Sequence, residues 1–195
     1  MKVRKFLFVG ALIAASLFSV NSVMAQTNST TATDQVLVNL KFMPIMSITV
    51  GVDNVDLTYK TFDDYSTGKT TGVITDHITI NSTGAFVVNV KAGGNFKRTG
   101  GGEEEIPVGH VKIHALAGTV APKFGTTTFS DQASLTTTDH TLVSATGGGI
   151  GIKYSVVYDN MEAGANNAYI DMYKAGATGT ESVYSATVTY TITAS

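Results

Sequence analysis

The chain has 195 residues, no cysteine and no tryptophan, and thirteen basic against fifteen acidic residues, a formal net charge of −2. Without cysteine there is neither a disulfide framework nor thiolate chemistry, so cohesion must come from an apolar core and backbone hydrogen bonds. Three of the basic residues lie in the first 25; the rest of the chain sets ten basic against fifteen acidic residues, which excludes binding nucleic acid or an anionic membrane through general electrostatics.

Lys2, Arg4 and Lys5 precede the apolar run "FLFVGALIAASLFSV", and Val23-Met24-Ala25 offers small residues for cleavage before Gln26. Residues 1–25 therefore read as a secretory signal peptide, because the run is shorter than the roughly 20 residues a spanning helix needs. Export from a bacterium is expected, to the cell surface or an extracellular filament, with the periplasm as the alternative compartment. No membrane span is expected after the leader, and the remaining residues suit one domain over 35–195.

Residues 26–34 are polar and read as a flexible segment. "QVLVNLKF" (35–42) then places Val36, Val38, Leu40 and Phe42 on one face of a strand, and Pro44 interrupts the run before "IMSITVG" (45–51) resumes it with Met46, Ile48 and Val50. Two readings follow. Residues 35–50 form one long first strand that bends at Pro44 and crosses between sheets, or residues 34–42 are a donor strand and 45–51 begin a receiving domain.

Further strands are expected at "VDLTYKTF" (55–62), "GVITDHITI" (72–80) and "AFVVNVKA" (85–92), each β-branched or aromatic at alternate positions and bounded by turn residues. "YSTGKTT" (65–71) lacks the first glycine of a phosphate-binding loop, since Asp63 stands there, and reads as a turn. "AGGNFKRTGGGEEEIP" (92–107) reads as a solvated loop. In "VGHVKIHAL" (108–116), His110 and His114 share the i, i+4 spacing of helical metal ligands. On a strand their Cα atoms lie about 13 Å apart at about 3.3 Å per residue, so both read as solvent-facing. Asp53, Asp56, Asp63 and Asp64 are oxygen donors of the kind that calcium takes.

"TLVSA" (141–145) and "GIKYSVVY" (151–158) continue the strand pattern, and "GGGIG" (147–151) precedes a strand, unlike a dinucleotide-binding turn. Residues 158–182 read as a long loop, with "NNAYIDMYKAG" suited to one helical turn or a short edge strand. "SVYSATVTYTITAS" (182–195) alternates Tyr184, Ala186, Val188, Tyr190 and Ile192 with serine and threonine, and suits a protected final strand paired with the chain's beginning. Asn28-Ser29-Thr30 and Asn81-Ser82-Thr83 match the glycosylation sequon, without meaning in a bacterial protein. With no G-x-S-x-G, no Cys and only turn-bound carboxylate pairs, the sequence supports no enzyme and implies no cofactor.

Many short strands at short spacing predict an all-β fold, specifically an immunoglobulin-like antiparallel β-sandwich. "VDLTYKTFDDYSTG", "ITINSTGAFVVNVKA" and the closing "YSATVTYTITA" resemble small secreted β-sandwiches of Bacteroidetes and, more distantly, pilin-like subunits of the spore coat U and archaic chaperone–usher kind. That resemblance implies a structural subunit of a fibre, pilus or coat that self-associates, with Val36, Val38, Leu40 and Phe42 as the donor-strand candidates. Unlike spore-coat-U-type subunits, the chain has no cysteine. The alternative is a monomeric module that binds a glycan or surface ligand, for which Tyr59, Tyr65, Tyr169 and Tyr173 would supply aromatic contacts.

Overall fold

Alternation of buried and wet side chains runs through most of the sheet, and in the strand Phe86–Ala92 every second residue is buried. The computed structural model describes residues 31, 33–173 and 181–195. The expected signal peptide and most of 26–34 therefore lie outside the described residues, as do the last three residues of "NNAYIDMYKAG" (166–176), whose described part, 166–173, forms turns and neither a helix nor a strand. The chain divides into two units, Met1–Lys41 and Phe42–Ser195. In the first unit, residues 33–41 belong to no helix or strand.

The second unit is an antiparallel β-sandwich. In chain order its strands are β1 (Met46–Val50), β2 (Ile74–Ser82), β3 (Phe86–Ala92), β4 (Phe96–Arg98), β5 (Glu105–Ile106) and β6 (Lys112–Ala117). They continue as β7 (Thr127–Phe129), β8 (Ala133–Ser134), β9 (His140–Ala145), β10 (Gly149–Asp159), β11 (Tyr184–Ser185) and β12 (Val188–Ala194). One sheet has the order β1-β2-β10-β6-β8, the other β12-β3-β9-β7, and a small third sheet joins β11, β4 and β5. The core lies between the two main sheets, with Ile78, Ile80, Phe86, Val88, Ile152 and Val156 fully buried. Each such side chain stabilises the fold by about 1.5–3 kcal/mol relative to exposure.

Seven-stranded immunoglobulin-like sandwiches set the first, second, fifth and fourth strands in one sheet and the third, sixth and seventh in the other. Here β1-β2-β10-β6 takes the four-strand order, and β3 pairs with β12 as the third strand pairs with the sixth. The seventh strand would lie outside β12, and among the described residues none does. The final strand is therefore a sheet edge. It pairs over its whole length with β3, from Val188 opposite Ala92 to Ala194 opposite Phe86, and among the described residues it has no ladder with the chain's beginning, its expected partner.

Three other expectations are corrected. Residues 35–45 join no ladder, so no continuous first strand spans 35–50, and β1 starts at Met46. Residues 55–61 are not in a strand either, although Val55 and Leu57 pack against the core at alternate positions. They lead into a helix, α1 (Phe62–Thr67), whose start is a capping box: Thr61 accepts from the Asp64 backbone N–H, and Asp64 accepts from that of Thr61. The expected strand over 108–116 opens with a 3-10 turn at Val108–His110, so β6 begins at Lys112.

Candidate functional site: an open seam between two edge strands

β1 and β12 are the edge strands of opposite sheets and lie side by side along one flank of the sandwich. On β1, Met46, Ile48 and Val50 stand opposite Ser82, Ile80 and Ile78 in the ladder and so share their inward face. Yet Met46 and Val50 are each 37% exposed, whereas Ile80 and Ile78 are fully buried. On β12, Val188, Tyr190 and Ile192 point inward and pack on the core but are only half-buried, while Thr189, Thr191 and Thr193 face solvent. An inward-facing apolar row thus stays partly wet on both edges, and the outer backbone groups of β12 belong to no ladder among the described residues.

The wall of the seam is set by an irregularity in β2. Asp76 adopts φ 55, and the ladder to β10 shifts register between Tyr154 and Val156. The Asp76 carboxylate accepts from the Thr119 backbone N–H at 2.8 Å and from its hydroxyl at 2.6 Å, and Lys153 lies 3.7 Å away. These partners hold the Asp76 carboxyl below the usual range, the Thr119 hydroxyl bond foremost. The bulge breaks the period of two, so that His77 and Ile78 are both buried. His77 thus points inward, its ring 5.8 Å from that of Tyr190 and 6.3 Å from that of Tyr158. Its Nδ1 has no hydrogen-bond partner, and burial pushes its pKa down. The hydroxyls of Tyr158 and Tyr190 are bonded to each other, and burial pushes both phenols up.

The donor-strand candidates are all exposed, as is Leu37 between them at 84%. Val36 is 85%, Val38 75%, Leu40 80% and Phe42 90% exposed. Apolar side chains at every second position of an unpaired stretch are what an open edge can take up. Sequence reasoning proposes these four residues from their alternation. It missed the seam, because an edge position depends on strand order.

Other candidate residues are occupied by structure. The Tyr59 ring lies 5.2 Å from Tyr65 and 5.6 Å from Tyr169. The Tyr59 hydroxyl donates to Asn160 Oδ1, the Asn160 amide donates to the Tyr169 hydroxyl at 3.0 Å, and that hydroxyl also meets His110 Nδ1 at 2.8 Å. Burial pushes the Tyr59 and Tyr169 phenols up. This cluster ties the turn over 160–171 to α1, with the Tyr59 ring inclined at 51° to Tyr65 and 78° to Tyr169 rather than coplanar with them; Tyr173 is 48% exposed. Asp64 is taken by the backbone N–H groups of Lys60 and Thr61 and by Lys69 at 2.8 Å, and the Lys69 bond foremost holds its carboxyl well below the usual range. Among the described residues no three His, Asp or Glu side chains converge as metal ligands, and no helix is long and apolar enough to cross a membrane. The Asn81 amide is engaged on both sides, donating to Ser47 Oγ and accepting from the Gly151 N–H.

No protein-family model matches this chain, and no curated protein matches it.

Proposed function

We propose that the protein is a structural subunit of an extracellular bacterial fibre, pilus or surface coat, assembled by strand complementation. Residues 34–42 of one copy lie along β12 of the next, with Val36, Val38, Leu40 and Phe42 turned into the seam beside Met46, Ile48, Val50, Val188, Tyr190 and Ile192. The observation that carries this reading is the lack, among the described residues, of a strand outside β12, together with half-wet inward residues on both flanking edges. Main-chain hydrogen bonds to β12 provide affinity, and the alternate side chains fix register. Burying four such side chains is worth roughly 6–12 kcal/mol before the cost of association. The reading is not enzymatic, and its partner is a second copy of the chain.

The test is negative-stain microscopy of the processed full-length chain beside its Val38→Asp and Leu40→Asp variants. Fibres from the parent and none from either variant, with unchanged circular dichroism, are expected. Equal fibres from all three would sink the proposal.

A further inference from the structure

A second apolar surface lies at the end of the sandwich where β1 begins. There, Phe42, Met43 and Pro44 line an open depression of about 990 Å³ together with Val120, Phe124 and Ile150. Phe124 is 68% and Ile150 90% exposed. The backbone places both deliberately. β10 shifts register against β2 between Gly149 and Ile152, and Gly151 sits at φ +67 with its N–H on Asn81 Oδ1 at 2.8 Å, which turns Ile150 outward. A Cβ on Gly147 would collide with the Phe124 carbonyl, and one on Gly148 with the Ser82 carbonyl. Only the glycine run lets these three backbone segments close so tightly under the patch. Contiguous apolar side chains held out on such a frame mark an interaction surface.

The position of the patch identifies its occupant. Phe42 is the last inward-facing residue of the proposed donor strand, and β1 begins at Met46. Four steps of chain reach no more than about 14 Å. Any copy that holds Phe42 in its seam is therefore brought against the end of the sandwich that carries Phe124 and Ile150, whichever direction the strand runs. We propose that this patch is a second contact between successive copies of the chain, docking rigidly against the acceptor beside the seated strand. The proposal rests on strand complementation and adds to it a surface outside the seam. In a fibre the contact is heterologous, joining this end of one copy to a different surface of the next.

The test uses the full-length processed chain, whose lack of cysteine makes cross-linking clean. Asn39→Cys combined with Thr189→Cys, Thr191→Cys or Thr193→Cys reports seating of the strand on β12 as a disulfide between copies. Phe124→Asp with Ile150→Asp is then added to the best cross-linking pair, and fibre length is followed by sedimentation under reducing conditions, with circular dichroism to verify folding. The expected result is retained cross-linking under oxidation but a fibre contact weakened about tenfold or more. Fibres of unchanged length with retained cross-links overturn the docking contact and leave strand complementation standing. Absence of cross-links in the parent pairs overturns strand complementation, and the docking contact with it.

Discussion

His77 of β2 faces Tyr190 of β12 across the sandwich, ring to ring at 5.8 Å and nearly edge-on, at 71°. The relationship joins the buried wall of the seam to its open edge, and it exists because the Asp76 bulge turns a histidine inward where strict alternation would not.

That histidine gives the fold a specific pH response. Its folded pKa lies below the ordinary value of 6.5, and burial is the cause. In the window between the depressed value and 6.5 the unfolded chain binds more protons, so stability falls as pH drops through that window and is fully present above it. The slope reaches at most about 1.4 kcal/mol per pH unit. The rings of Tyr158 and Tyr190 face the imidazole, and both phenols stay neutral there. Urea melts from pH 7.5 to 5 are expected to show the decline in the parent and a smaller one in His77→Phe. Equal declines would remove His77 from the account.

Gly164 lies against the Tyr59 hydroxyl and Asn160 Oδ1, where an added Cβ would collide with both. Gly164→Ala should separate Tyr59 from Asn160 and cost about 1–3 kcal/mol. Thermal melting measures the cost, and a neutral result would mean that the turn tolerates repacking.

Thr61→Ala removes the hydroxyl that caps α1 and should cost about 0.5–2 kcal/mol. Because α1 has only six residues, the loss is expected as faster amide exchange in 62–68 before it is visible in the global melt.

Phe86 is fully buried, with its ring 6.5 Å from that of Tyr154. Phe86→Ala should destabilise the sandwich by about 3–5 kcal/mol, whereas Phe42→Ala, at an exposed position, should leave the melting temperature of the isolated subunit unchanged. Similar losses in both would show that Phe42 is not free for a neighbour.

The sandwich was legible where a strand spans several alternations, as in β2, β3, β9, β10 and β12. Alternation reports which face of a segment is apolar; it does not report whether a partner edge exists. Residues 35–42 and 55–61 therefore read as strands and are not in ladders, the first exposed and the second packed on the core through Val55 and Leu57. β4 and β5 are too short to show a period, and they lie in a stretch whose glycines read as loop. α1 is too short for a helical period, although Thr61 and Asp64 carry the capping box in plain sight. Of the proposed site, the donor residues follow from spacing alone. The seam does not, because β12 is an edge only by virtue of strand order, and His77 lines it only through a bulge that no local pattern announces.

The most direct measurement is oxidative cross-linking of the full-length chain carrying Asn39→Cys and Thr191→Cys, resolved on denaturing gels without reductant. Strand complementation between copies predicts a ladder of covalent dimers, trimers and higher species that collapses to monomer on reduction, with a stronger ladder in one of the Thr189→Cys or Thr193→Cys registers if the strand is offset. A monomer band closed on itself, or no disulfide in any of the three registers, would contradict it.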